Sequence, residues 1–301
     1  MNAPLKDIVI SSHIPMSVWY MLISALGFAL MAACVKEVSG LGIPVLEIVA
    51  VRSIVSGIIS YVDIKRKKIP LFGHNKALLI ARGTVGSFAL ILVYYTITTL
   101  PLAEATLLQY LHPVFTAMLA LFFLKETIQR STMACIFISL LGLFIIIQPN
   151  LAQSNIPLDS VVHYPWLSIG TGVLGAFGSA VAYIIVKKLT QTDDSSVIIF
   201  YFPLVAFPVS MILLGSDFVV PSLAATGLLI LIGIFTQVGQ VGLTKALHCA
   251  DANKATAYAY VQVLFSVFIG WAYFSEVPMA TTIMGGGLIM VGALINVFWK
   301  R

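Results

Sequence analysis

Charge is what this chain has least of. Only 10% of its 301 residues are Asp, Glu, Lys or Arg, 59% are hydrophobic, and the mean hydropathy is +1.01. A water-soluble domain carries about 25% charged residues, so lipid rather than water must cover most of this surface. Cysteine is also scarce: Cys34, Cys135 and Cys249 are far apart and lie in or near apolar runs. An odd count without metal-ligand spacing indicates neither a disulfide framework nor a zinc site, and the simplest reading is buried, inert thiols. No G-x4-G-K-[ST] phosphate loop occurs, which argues against an ATP-driven machine. No cofactor motif is present either.

What the chain does have is length of apolar sequence. Runs bounded by charge, Pro or Gly fall near 16–36, 44–62, 77–99, 103–124, 131–148, 165–187, 196–214, 223–246, 254–274 and 279–299. A spanning helix needs roughly 20 mainly apolar residues, so ten spans with short loops are expected and a sizeable appended soluble domain is not. The runs do not alternate with period two as barrel strands would. The first run is long and lacks an A-x-A-like exit, so it reads as a permanent span rather than a cleaved signal peptide.

The basic residues orient these spans. With the N-terminus in the cytoplasm, that side holds Lys6, Lys65, Arg66, Lys67, Lys68, Lys76, Lys125, Arg130, Lys187, Lys188, Lys245, Lys254, Lys300 and Arg301. Of the 17 basic residues, this leaves Arg52 and Arg82 within spans and Lys36 near the outer face. The asymmetry implies an even number of spans and accounts for the net charge of +5 without nucleic acid as a partner.

Shifted by 150 residues, the chain matches itself. AEATLLQYLHPVFTAMLALFFLKE lies over NKATAYAYVQVLFSVFIGWAYFSE without a gap, and Gly142 falls on Gly292. Two five-span units are expected, over 1–149 and 150–301. Because five is odd, the second would enter the membrane from the opposite side. The expected fold class is therefore an all-α membrane protein of ten transmembrane helices in two inverted five-helix repeats. Such repeats recur in secondary transporters, with the site at their interface.

Polar groups inside spans should face the bundle interior. Arg52 lies about 12 Å into the second span at 1.5 Å per residue. It reads either as a fixed positive charge for an anionic group or as a partner of Glu47 or of a helix-end carbonyl. Arg82 is shallower and could snorkel to the interface. Pro113 cannot bond back to the carbonyl of Gln109, which frees an acceptor beside Gln109, Tyr110 and His112. Gln237, Gln240 and Thr244 share one face of the eighth span, and Tyr258 and Gln262 one face of the ninth. Tyr94 and Tyr95 add aromatic surface in the third, at least one of them toward the cavity. The candidate substrate-binding residues are thus Arg52, Tyr94, Gln109, Tyr110, His112, Gln237, Gln240, Tyr258 and Gln262. Gly172, Ala176 and Ala180 recur at four-residue spacing and read as a close-packing face.

The fourth and ninth spans carry a resemblance to a known family. Ala103-Glu104-Ala105, Tyr110-Leu111-His112-Pro113 and Glu126 are answered by Ala250-Asp251-Ala252, Tyr260-Val261-Gln262-Val263 and Glu276; Glu47, Arg52 and Arg82-Gly83 add to the pattern. In these motifs the chain resembles ten-span EamA-type members of the drug/metabolite transporter superfamily. His112 and Val263 depart from the pattern. The resemblance implies a cavity lined by spans 1, 3, 4, 6, 8 and 9, and substrates that range from amino acids and S-adenosylmethionine to nucleosides and drugs.

All 12 Asp and Glu lie in loops or at helix ends, and the first span, LISALGFALMAAC, has none. This argues against a proton-coupled cation exporter of the small multidrug type, and a zwitterionic or carboxylate-bearing substrate fits two membrane arginines better. The expected function is a secondary carrier of a small polar metabolite, such as an amino acid or an S-adenosylmethionine-like compound, in the cell inner membrane. A membrane enzyme and a non-transporting subunit or channel are the alternatives. The expected partners are the substrate and the bilayer, with homodimerisation left open.

Overall fold

The structure is a computed structural model that describes residues 16–125, 165–257, 259, 261–277 and 279–298, together with 130, 133–134, 137–138, 140–142 and 144–145. Among the described residues every element is helical and no strand occurs. In chain order they are α1 (Met16–Gly40), α2 (Val45–Lys67), α3 (Lys76–Thr99), α4 (Leu102–Gln109), α5 (His112–Phe123), α6 (Trp166–Leu189), α7 (Ser195–Leu214), α8 (Leu223–Cys249), α9 (Ala252–Ala257), α10 (Val261–Phe274) and α11 (Ala280–Phe298). Seven of the described stretches are long and apolar enough to cross a membrane, counting Glu104–Phe123 as one. Val261–Phe274 and Ala280–Gly292 are shorter apolar helices. The chain is a multi-pass, all-α membrane protein.

Several helices outrun the apolar runs that announce them, because a long cationic side chain need not end a helix. α1 continues past Lys36 to Gly40, and the Lys36 ammonium donates to the Leu100 carbonyl at 2.9 Å and pairs with Glu276 at 2.7 Å. α2 runs on through Asp63 and Lys67, whose side chains pair at 3.0 Å one turn apart. It ends where Lys68 turns left-handed, with φ 55°. The fourth run is broken, as the missing N–H of Pro113 requires. α4 closes with Leu111 N–H bonding back to Leu108 at 3.2 Å, and α5 restarts at His112.

Packing runs across the two halves of the sequence. The main helix pairs are α1 with α8, α2 with α7 and α3 with α6. Each pair is antiparallel. The start of α2 meets the chain beyond α7, where Val219 N–H donates to Glu47 at 3.0 Å, and its end meets the chain before α7, where Lys67 bonds Asp194 at 3.1 Å. Late α3 meets early α6 through Thr96 and Thr171 at 3.1 Å. Small residues permit the approach. The Ser24 hydroxyl of α1 donates to the Gly239 carbonyl of α8 at 2.8 Å, and Ala176 and Ala180 of α6 are fully buried. A second lysine mirrors Lys36: near the end of α6, Lys187 donates to the carbonyls of Leu247 and Ala250, at 2.9 and 2.8 Å, where α8 ends.

The core has two clusters. One gathers Met21, Ile64, Leu79, Tyr110, Val186 and Leu247, and the other gathers Val38, Ile48, Tyr94, Ile97, Phe202 and Leu229. Cys34 is half-buried and Cys249 exposed, and both are free thiols. The expectation of buried thiols therefore fails at Cys249, which lies on the last turn of α8. Cys135 lies outside the described residues.

Candidate functional site

Where the two core clusters meet, a cavity of about 70 Å³ is walled by both halves of the chain. Phe28 and Met31 come from α1, Arg52 from α2, and Arg82, Gly86 and Tyr94 from α3. Gln109, Tyr110 and His112 come from the α4–α5 break. Ser179 and Tyr183 of α6, Phe202 of α7, Gln240 of α8 and Gln262 of α10 close the other side. The volume holds a few water molecules and falls well short of the roughly 300 Å³ of a small-molecule site. A metabolite enters only if helices separate.

Two arginines dominate it. Arg52 is 1% and Arg82 2% exposed. The Arg52 Nε–H donates to the Thr236 hydroxyl at 2.9 Å, and the Arg82 Nη2–H to the Gln240 carbonyl oxygen at 3.2 Å. Both guanidinium carbons sit over the Phe202 ring, 4.8 Å from its centroid for Arg52 and 5.0 Å for Arg82, and Arg52 is also 5.7 Å from the Tyr94 ring. Cation–π contacts of this kind contribute about 0.5–2 kcal/mol each, less than the several kcal/mol that removing a cation from water costs. Arg52 Nη1 and Arg82 Nε and Nη1 are buried without a hydrogen-bond partner.

The His112 ring centroid lies 5.0 Å from that of Tyr183, in an edge-to-face contact, and 5.6 Å from that of Tyr110, and its Nδ1 is buried without a partner. Gln262 is the residue that the 150-residue register sets against His112, and both line the cavity. The Tyr94 hydroxyl points at Met31 Sδ, 3.1 Å away.

Of the nine residues singled out from the sequence, Arg52, Tyr94, Gln109, Tyr110, His112, Gln240 and Gln262 are brought together here. Gln237 is not. Its amide lies between α8 and α2, accepting from Ser56 at 2.7 Å and donating to Ser60 at 2.9 Å. Tyr258 lies outside the described residues, as does Glu126. Arg52 does not pair with Glu47, whose carboxylate instead holds Val219 N–H.

Arg82 and Phe202 were not among the nine. Arg82 does not snorkel: its guanidinium lies back against Gly86, one turn on, where an added Cβ would collide with Arg82 Nη1 and lie 2.9 Å from the Phe202 ring. Phe202 carries no signal within an apolar run, but it falls 150 residues from Arg52, on the repeat's own register. The cavity also draws on spans 2 and 7, through Arg52 and Phe202, beyond the six spans expected.

The fold and the cavity thus define an integral membrane protein with a small, charged chamber walled by both of its halves. The EamA-like transporter family model matches residues 15–148 and again 166–298, and the chain belongs to that family, as a membrane transporter rather than an enzyme. It is 33% identical over 274 residues to the pseudopaline exporter CntI of Pseudomonas aeruginosa, covering 91% of this chain and 93% of that one. It is 28% identical to human solute carrier family 35 member G1, covering 93% and 78%, and 26% identical to the S-adenosylmethionine uptake transporter of Rickettsia felis, covering 74% and 72%. A crystal structure of a protein 15% identical in sequence superposes with a TM-score of 0.71 over 94% of this chain and 98% of the other, a likeness of fold alone.

Proposed function

We propose that the protein is a secondary carrier of a small polar metabolite in the bacterial inner membrane, working by alternating access. Its ten spans would form two inverted five-helix units, 1–149 and 150–301, with both termini in the cytoplasm. The observation that carries this reading is the chamber itself, walled by both halves, with two arginines and three amides set in a mainly apolar lining, and too small for a metabolite as it stands. Inversion is supported by α2 and α7, equivalents under the 150-residue shift, which run antiparallel. Lys36 and Lys187 support it too. They cap equivalent helix ends one residue off that register. The orientation rests on the lysines and arginines of the loops.

The nine residues named from the sequence remain the proposed substrate contacts, with two changes. Gln237 is assigned to helix packing, and Arg82 and Phe202 are added. Relatives named for export and for uptake leave direction open. An amino-acid-like solute fits the uptake name.

The test is counterflow in liposomes containing the purified protein, with amino acids, S-adenosylmethionine and nucleosides supplied first. A carrier gives saturable uptake that is accelerated by substrate on the far side. Uptake that rises linearly with concentration and ignores trans substrate marks a channel and ends the carrier reading.

A further inference from the structure

The charge balance of the chamber is incomplete. Arg52 and Arg82 each lie within about 5 Å of one ring, Phe202, so the two cations are within twice that distance of each other. The buried carboxylates of the described fold lie elsewhere and are engaged there: Glu47 through one oxygen by Val219 N–H, Glu104 by the Thr282 hydroxyl, and Asp193 by His74 N–H and the Thr192 hydroxyl, while half-buried Glu276 pairs with Lys36. Among the described residues neither arginine has an ion-pair partner, and three of their nitrogens are buried with no acceptor at all. The rest of the lining consists of amide, hydroxyl, imidazole and apolar groups, with no carboxylate among them. Buried cations are held by opposite charge or hydrogen bonds. Here the described residues supply the hydrogen bonds in part and no opposite charge.

We propose that the substrate supplies it. The chamber takes a small dianion, with Arg52 and Arg82 gripping its two negative charges. Those charges are either two carboxylates on a short carbon chain or one doubly charged phosphate. Guanidinium forks suit both groups. Phe202 keeps the two forks apart and gives the carbon skeleton an apolar face. This substrate class rests on the carrier reading above, and it disfavours solutes of net positive charge, which would face two like charges in a buried site.

Thermal unfolding of the full-length protein in detergent tests the class without requiring transport. Succinate, glutarate and inorganic phosphate are titrated against acetate, succinamide and 1,4-diaminobutane. At least one dianion raises the unfolding temperature saturably, and the other three do not at matched ionic strength. Arg52→Gln and Arg82→Gln each weaken that apparent affinity at least tenfold. Arg66→Gln, which removes an arginine with its side chain 82% exposed, leaves it unchanged. If a glutamine variant does not fold, Arg52→Lys and Arg82→Lys keep the charge without the fork and weaken binding less steeply. Whether dicarboxylate or phosphate wins identifies the group. Equal response to acetate or succinamide, no response to any dianion, or dianion binding that survives both glutamine variants overturns the proposal. Flux assays separate it from the carrier reading. Saturable, trans-stimulated transport of neutral or cationic solutes leaves the carrier and removes the dianion. Dianion binding without flux leaves the site and removes the carrier.

Discussion

Gln237 and Gln240 stand three residues apart on α8 and do different jobs. A three-residue step turns a helix to a position about 60° from the first. That is enough to send one amide to Ser56 and Ser60 on α2 and the other to Arg82 in the chamber. Interhelical hydrogen bonds inside a membrane contribute about 0.6 kcal/mol on average and up to about 1.7. Gln237→Leu is therefore expected to cost about 1–2 kcal/mol of stability, read as a lower unfolding temperature in detergent, with ligand affinity in the chamber intact. A loss of affinity equal to that of an Arg52 variant would place Gln237 back in the site. The sequence shows that both amides face protein, because neither is tolerable against lipid. It does not show which neighbour each meets, since that depends on where α2 lies. Arg82 is the converse case. Depth alone allowed it to reach the interface, whereas the bare surface of Gly86, the Gln240 amide and the Phe202 ring hold its guanidinium in the chamber.

Among the helices, the contact of α1 with α8 rests on missing side chains. A Cβ on Gly27 would lie 2.9 Å from the backbone nitrogen of Gly239 and 3.0 Å from the carbonyl oxygen of Phe235. Backbone cannot yield as a flexible side chain can. Gly27→Ala is thus expected to push the helices apart at a cost of about 1–3 kcal/mol. Gly227, on the same α8, has nothing within 4 Å of an added Cβ. There alanine should gain about 0.5–1 kcal/mol in helix propensity. Comparing the two unfolding temperatures checks the interface, and equal shifts would mean that α1 and α8 do not touch as described. The helices were largely legible beforehand, because twenty-residue apolar runs have one solution in lipid. The α4–α5 break was legible too, in Pro113. The extensions of α1 and α2 were not, since they depend on distant acceptors for Lys36 and Lys67 that no local pattern reveals.

For the whole molecule, composition and the apolar runs made the all-α membrane class readable in the sequence, whereas which helices pair across the halves was not. The identity of the chamber's wall was readable only where a residue was polar. Aromatic contributions such as Phe202 stay hidden in any apolar run, although the register that aligns it with Arg52 was already in view. The uncompensated arginines have an electrical consequence. A chamber that holds a dianion is close to neutral, whereas an empty one carries two positive charges through part of the bilayer's field. Each elementary charge crossing the full field exchanges about 2.3 kcal/mol per 100 mV, so the empty protein's reorientation, and not the loaded step, should feel the membrane potential. In liposomes clamped with potassium and valinomycin, net uptake, which includes the empty return, is expected to change with voltage. One-for-one exchange, which never empties the chamber, is expected to stay flat.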